Sequence, residues 1–497
     1  MKAALAAAVL IAAVYLTLAA GSAWTRRPWC DEGWFANPAY NLIAHGTMGT
    51  TVLEPAGHSR HPWGIREHTY WITPLHILAQ SAWYSVAGFS LESMRAMSIA
   101  WGLIGLGAWF QIVRLLAGGR GLALAAAALL ACDFTYVSTA SVGRMDMMSA
   151  ALGSAALAVY LTWRERRFTL AVVSSHALVA ASGLTHPVGG VLAFAALAFL
   201  TLRMDRGRLR PAHILFASLP YFAGAIGWGL YIMQAPGDFV RQFSSNSAGR
   251  FSQLFSPLQA AKAEVSRRYL QFFGFGVSGA AAAALKAVVP AVYVLTFAAG
   301  AATRRLRAGG TGTLLWLAGI YVFGLAIFDS TRQGYYLVYS MTALTVVFAV
   351  VVCNYASRGA FHRLAAAGTV AAIVLVNMGT LGHRILRLDT MHSQFLPALR
   401  FLEKTAPAGS AITASGEFGF GLGFDSGLTD DWTLGYYSGK KADFIVVDPL
   451  TYQESFSEFQ RKDPKVYRHV RNLLDGEYVR VYDRGTYQVY ARRKEGF

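Results

Sequence analysis

Asp31 and Glu32 stand side by side in Cys30-Asp31-Glu32-Gly33-Trp34-Phe35, a few residues beyond the first apolar run of the chain. A carboxylate at the edge of an apolar segment is partly stripped of water, which raises its pKa and suits it to act as a general base; it can equally ligate a cation. Two acids opening a short helix are also what the helix dipole favours at a solvated N-terminus, so spacing alone leaves both readings open. Ser141-Val142-Gly143-Arg144-Met145-Asp146 places an arginine, whose planar fork suits a phosphate, just ahead of an aspartate that enters an apolar helix. Asp329-Ser330-Thr331-Arg332-Gln333-Gly334-Tyr335-Tyr336 offers a second phosphate candidate in Arg332, beside tyrosines typical of a membrane interface, where a snorkelling arginine is the plainer alternative.

Histidines 58, 61, 68 and 76 are interleaved with Glu54 and Glu67, a composition that invites a metal. His58 and His61 lie three apart among proline and glycine, where no helix face aligns them, so exposed loop histidines are the better reading. No metal is expected, although a divalent cation is compatible with the acidic pair. Arg60, Arg66 and His68, together with Asp146 and Tyr335, are candidate substrate contacts, and His186-Pro187 is a candidate acceptor contact or helix cap.

The elements that must hold these residues are membrane spans. Of 497 residues 55% are hydrophobic and 14% charged, far too apolar for a water-soluble enzyme. Apolar runs of bilayer length fall near 3–20, 94–116, 121–138, 146–163, 168–184, 188–202, 212–233, 286–302, 312–328, 335–353 and 364–381, about eleven helices. Residues 70–88 are apolar too, but Pro74 and the flanking loops predict a helix lying in the interface instead of a span. Asn37 to Gly46 predicts a short amphipathic helix ending at a glycine cap.

With Lys2 inside, the alternate short loops carry Arg114 and Arg120; Arg164, Arg166 and Arg167; Arg203, Arg206, Arg208 and Arg210; Arg304, Arg305 and Arg307; and Arg358 and Arg363. That positive-inside pattern places the long loops 21–93 and 234–285, and everything after residue 390, on the outer face. An uncleaved first span fits this polytopic pattern better than a signal peptide. The net charge of +17 does not point to nucleic acid, because residues 391–497 hold 14 basic and 14 acidic residues and the whole excess lies in the membrane part. Cys30, Cys132 and Cys353 fit neither a zinc spacing nor a disulfide framework.

An Asp-Glu pair directly after the first span and before a juxtamembrane helix resembles the polytopic GT-C glycosyltransferases that use polyprenyl-phosphate sugars, of the ArnT and protein O-mannosyltransferase kind. Thr73-Pro74-Leu75 followed by Arg95 is similar to that family's Pro-Pro-Leu segment and the arginine at the mouth of the next span, with Thr73 in place of the first proline and Ile72 in place of a preceding basic residue. The Arg144 to Asp146 turn resembles the family's Ser-Arg-x-x-x-Asp type, with one intervening residue where the family has more. The resemblance covers the layout of most of the chain but only four short patches in residues.

What it implies is a GT-C fold: an all-α bundle of about eleven transmembrane helices spanning residues 1–390, with a small extracytoplasmic α/β domain over 391–497. It further implies an inverting glycosyltransferase of the bacterial inner membrane. The donor would be a polyprenyl-phosphate sugar and the acceptor a glycolipid, glycan or protein, with no cofactor. Asp31, aided by Glu32, would serve as catalytic base, and Arg144 and Arg332 would hold the donor phosphate. In the C-terminal part, a helix from Phe395, strand-like stretches at 411–414, 444–447, 478–482 and 486–490 and helical patterns near 453–473 make a small α/β unit. Gly416, Gly419, Gly421 and Gly423 form no phosphate loop there. A transporter of lipid-linked sugars would need similar outer arginines, but internal repeats and mid-membrane charges of the usual kind are missing from the sequence.

Overall fold

A computed structural model describes residues 2–55, 64–250, 256–270, 272 and 280–493. The chain opens with α1 (Lys2–Thr25) and the short α2 (Cys30–His45), then α3 (Pro74–Ala87) and α4 (Leu91–Leu116). The broken pair α5 (Arg120–Cys132) and α6 (Phe134–Ala140) leads to α7 (Met145–Trp163), α8 (Phe168–Thr185), α9 (Pro187–Asp205) and α10 (Pro211–Ile232). After α11 (Pro236–Ser247) and α12 (Pro257–Ala263) come α13 (Ala280–Ala302), α14 (Gly309–Phe328), α15 (Leu337–Ala356) and α16 (Ala360–His383). Among the described residues, 10 helices are long and apolar enough to cross a membrane, or 11 if α5 and α6 count as one span. Helix α15 is enclosed on nearly all sides and forms the middle of the bundle.

One expected span is broken. The run 121–138 bends by 64° at Asp133, whose carboxylate leaves the helix to accept the Tyr136 backbone N–H at 3.0 Å and so caps α6. Residues 70–88 do not span: α3 starts at Pro74, lasts 14 residues and packs against α2 and α4.

Helix α2 ends at the glycine cap the sequence put there but starts at Cys30, earlier than the expected Asn37. Asp31 and Glu32 occupy its first turn, and Gly46 closes it at φ 71°, a left-handed conformation that costs glycine little and lets the chain reverse. The returning strand is then pinned onto α2: Asn41 Nδ2 donates to the Gly49 carbonyl at 2.6 Å, and Asn37 Oδ1 accepts the Val52 N–H at 3.0 Å.

Beyond α17 (Leu396–Thr405) lies a five-stranded mixed sheet in the order β2-β1-β3-β5-β4. Its strands are β1 (Ile412–Thr413), β2 (Leu428–Thr429), β3 (Phe444–Val447), β4 (Tyr478–Arg484) and β5 (Tyr487–Arg492). Strand β1 runs parallel to β2 and β3, whereas β5 is antiparallel to β3 and β4. The four-residue α18 (Gly419–Leu422) follows β1, and α19 (Tyr452–Lys462) and α20 (Pro464–Gly476) cover one face of the sheet, α19 through Tyr452 and α20 through Val466, Val470, Leu473 and Leu474. Leu53 makes a parallel bridge to Asp430, so the first long loop extends the sheet and ties it to α2.

Candidate active site

The two adjacent acids of α2 have different surroundings. Glu32 is 1% exposed and accepts from four donors: Arg95 Nε and Nη2 at 2.8 Å each, the Gly143 N–H at 2.9 Å and the Trp29 N–H at 3.2 Å. Burial opposes its ionisation, but the Arg95 guanidinium and the Gly143 N–H outweigh it and hold the carboxyl below the ordinary glutamate range. Arg95 is further fixed through Nη1 by the carbonyls of Ala23 and Arg26, at 2.5 and 2.7 Å. Glu32, expected from sequence to share in catalysis, therefore has its oxygens fully engaged in holding α1, α2, α4 and the turn before α7 together.

The Gly143 contact sets the position of the next residue. Arg144 caps α7 in extended conformation, donates through Nε to Asp146 at 2.8 Å and meets the Asp31 carboxylate through Nη1. Its guanidinium lies 3.6 Å from the centre of the Tyr335 ring, with Phe35 at 5.2 Å and Trp29 at 5.4 Å. Burial disfavours the charge on Arg144, but the neighbouring Asp146 prevails and raises its pKa, so it stays a cation. Asp31 keeps 13% of its side chain exposed, against 5% for Arg144 and none for Asp146. It is the most exposed of these three charged side chains.

A second line of side chains runs beside the first. His186, between α8 and α9, lies 3.1 Å from the Tyr336 hydroxyl through Nε2 and 3.5 Å from that of Tyr339 through Nδ1. Burial pushes His186 down to about 4, leaving it neutral near pH 7. Arg250 Nη1 donates to the same Tyr336 hydroxyl at 3.1 Å, and its Nε donates to the Asn246 carbonyl at 2.8 Å. Sequence reasoning missed Arg250, which stands in a Ser/Asn/Gly stretch without a motif; its place in the second long outer loop was the available signal. His76 of α3 is buried with no hydrogen-bond partner on either ring nitrogen, and burial lowers it to about 4. Thr73 Oγ1 and Asp146 Oδ1 are likewise buried polar atoms without a partner.

Sequence-derived candidates thus divide. Asp31, Arg144, Asp146 and Tyr335 come together. Arg332 does not join them: at φ 58° it turns back so that Nη1 donates to Glu264 at 3.0 Å and to the carbonyls of Ala326 and Asp329 at 2.6 Å each. There it belongs to a charge network with Arg268, which binds Asp329 at 2.5 Å. His68 pairs with Gln234 at 3.2 Å and stacks on Tyr70, joining the two long loops, and Arg66 is exposed on the first of them. Arg60, His58 and His61 lie outside the described residues. Among the described residues no three His, Cys, Asp or Glu side chains come together in a way that could hold a metal ion.

The sheet reaches this site through α2. Trp34 Nε1 donates to Asp430 Oδ2 at 2.9 Å, as does the Gly416 N–H; the Tyr452 hydroxyl donates to Oδ1 at 3.0 Å. Gly33 is required here, because a Cβ would run into the backbone of Gly416. Burial raises the Asp430 carboxyl to about 7.

No protein-family model matches the chain, and no curated protein matches it by sequence. Solved structures do. A crystal structure of ArnT from Cupriavidus metallidurans bound to undecaprenyl phosphate superposes with a TM-score of 0.58 at 15% identity, covering 98% of both chains. The apo oligosaccharyltransferase of Archaeoglobus fulgidus gives 0.60 at 14% identity over 99% of this chain and 75% of its own. The same organism's AglB, in complex with an inhibitory peptide and a dolichol-phosphate, gives 0.54 at 14% identity, covering 99% and 74%. The chain has the GT-C fold of these membrane proteins.

Proposed function

We propose that this chain is an inverting glycosyltransferase that moves a sugar from a polyprenyl-phosphate donor to a hydroxyl of a glycolipid, glycan or protein at the outer face of a bacterial inner membrane. The observation that carries the reading is the partly exposed carboxylate of Asp31, held against buried Arg144 among Trp29, Phe35 and Tyr335, where α1 ends and α4, α7 and α15 begin. Structures sharing the fold include one bound to undecaprenyl phosphate and one holding a dolichol-phosphate, which supports a lipid-phosphate donor here. The arginine-rich connections between α4 and α5, α7 and α8, α9 and α10, α13 and α14, and α15 and α16 all lie at the helix ends away from α2, which supports an outer location for the site and the sheet.

Asp31 accepts the proton of the acceptor hydroxyl as that oxygen bonds to the anomeric carbon. The bond from that carbon to the phosphate oxygen breaks on the opposite side, inverting the centre, and the lipid phosphate departs with the electron pair. Arg144 faces the two carboxylates Asp31 and Asp146, while Arg250, 3.8 Å from Asp329, approaches from the side of Tyr336 with His186 neutral. The two guanidiniums then stabilise the charge that grows on the donor's phosphate. The partnerless polar atoms of Thr73 and His76 suit sugar hydroxyls. Arg332, engaged by Glu264, is not assigned to the donor. No nucleotide or other cofactor takes part.

Purified protein incubated with labelled polyprenyl-phosphate sugars and a membrane extract should convert label into a product that no longer co-migrates with the donor. Label carried unchanged across sealed vesicles, with no product formed from any donor, would replace this reading with transport.

A further inference from the structure

A second group of cations lies where α1 leaves the apolar bundle. Arg26 directly follows α1, and Arg384 opens a five-residue π-helical turn, Arg384–Leu388, into which α16 widens. Such widened turns redirect a side chain that a regular helix would point elsewhere. Both guanidiniums reach Ser138 near the end of α6: Arg384 Nη1 donates to its hydroxyl at 2.8 Å, and Arg26 Nη1 to its carbonyl at 3.4 Å. Arg384 also lies over the Phe134 ring at 4.7 Å.

Among the described residues, neither arginine stands within ion-pair distance of a carboxylate, unlike Arg95, Arg144, Arg268 and Arg332. Both are half-buried. Burial lowers Arg26 to about 9, and the like charge of Arg384 is the next cause, ahead of the opposing pull of Glu32. Two cations partly stripped of water and set against each other are unfavourable alone and strongly favourable around an anion.

Depth identifies the anion. Trp24, two residues earlier on α1, is 62% exposed and packs on His392 at 5.3 Å, and Leu386 and Leu388 of the π turn are also exposed. An outward tryptophan at the end of an apolar span marks the headgroup level of a bilayer, where the anions present are lipid phosphates. We propose that Arg26 and Arg384, completed by the Ser138 hydroxyl, form a binding site for the phosphate of a membrane lipid, separate from the Asp31–Arg144–Asp146 group. The site is linked to that group, since the Arg26 carbonyl accepts from Arg95 Nη1 and Arg95 holds Glu32. A lipid phosphate seated there steadies the segment that leads into α2.

The test is native mass spectrometry of the full chain released from detergent, titrated in separate arms with phosphatidylglycerol and with undecaprenyl phosphate. An Arg26→Gln/Arg384→Gln double variant should bind at least one of the two lipids tenfold or more weakly than the wild type, with Arg384→Lys largely restoring it on the Arg26 background. Loss in the first arm identifies a structural phospholipid, and loss in the second a prenyl-phosphate subsite. Unchanged affinity in both arms would overturn the proposal. A photoreactive phosphatidylglycerol or prenyl phosphate applied to the wild type gives an answer independent of the variant's folding. Label should concentrate in the peptides spanning residues 21–29 and 384–395, and label confined to other spans would equally refute the site.

Discussion

Arg95 grips Glu32 with two parallel hydrogen bonds of 2.8 Å, and the same guanidinium reaches the carbonyls of Ala23 and Arg26 at the end of α1. This pair lets two adjacent acids take different roles. Glu32 anchors the start of α2, and Asp31, one residue earlier on the helix, is left to meet Arg144 and keeps 13% of its side chain exposed.

Removing Arg95 leaves Glu32 buried and uncompensated. Arg95→Ala should therefore destabilise the protein by about 3–5 kcal/mol, the usual cost of orphaning one member of a buried pair. Glu32→Gln, which keeps the shape and one acceptor oxygen but loses the charge, should cost less. Thermal unfolding in detergent measures both, and equal stabilities for Arg95→Ala and the wild type would show that the pair does not hold the helices together.

Arg250 and Arg332 separate the structural assignment from the one made on sequence. Arg250→Gln should raise KM for the donor and lower kcat/KM by about 10- to 100-fold, as expected of one charge-assisted contact to a phosphate. Arg332→Gln should chiefly lower stability, because it removes one of the two arginines that pair with buried Glu264, with donor KM unchanged. Steady-state kinetics with varied donor distinguishes them, and the reverse pattern would return the phosphate to Arg332.

Arg144→Lys keeps the charge but loses the planar fork that spans Asp31 and Asp146. A fall in kcat of about 10²- to 10³-fold with the fold preserved is expected, of the size seen when one preorganised donor to developing charge is lost. Activity within twofold of the wild type would remove Arg144 from the transition state.

Asp430 gives the contact between sheet and α2 a pH dependence of definite sign. Its carboxyl is raised to about 7 in the folded protein from an ordinary value near 3.8, so the folded state binds the extra proton. The stability linked to that proton is fully present below about pH 4 and is lost as pH rises through 7. Glu417 and Asp448, also raised by burial, act in the same direction. Asp430→Asn should flatten part of the slope of melting temperature against pH between 4 and 7; an unchanged slope would mean that Asp430 does not titrate there.

Much of this architecture was legible because it depends on local patterns. Apolar length gave the spans, Gly46 gave the end of α2, and a short apolar run gave β3 with its actual ends, Phe444–Val447. The break at Asp133 was hidden because its neighbours are apolar enough to continue one span, and only the capping of Tyr136 shows the carboxylate ending a helix. The two-residue β2 is too short to carry an alternation signal. In the candidate site, Asp31, Arg144 and Asp146, singled out by type and position, come together in one group. The division of labour between Asp31 and Glu32 was not, since it is decided by Arg95, 63 positions away. Arg332 turns away for the same reason: its partner Glu264 opens a π-helical turn 68 positions away, with no tie visible in the sequence.

The central claim is that Asp31 accepts the acceptor's proton. Sugar transfer from a polyprenyl-phosphate donor should therefore be compared between the wild type and Asp31→Asn, a variant of the same shape that keeps a hydrogen-bonding contact to Arg144. The account predicts a loss of kcat of about 10²- to 10⁴-fold with donor binding and melting temperature retained. Transfer at the wild-type rate by a folded Asp31→Asn protein would contradict it.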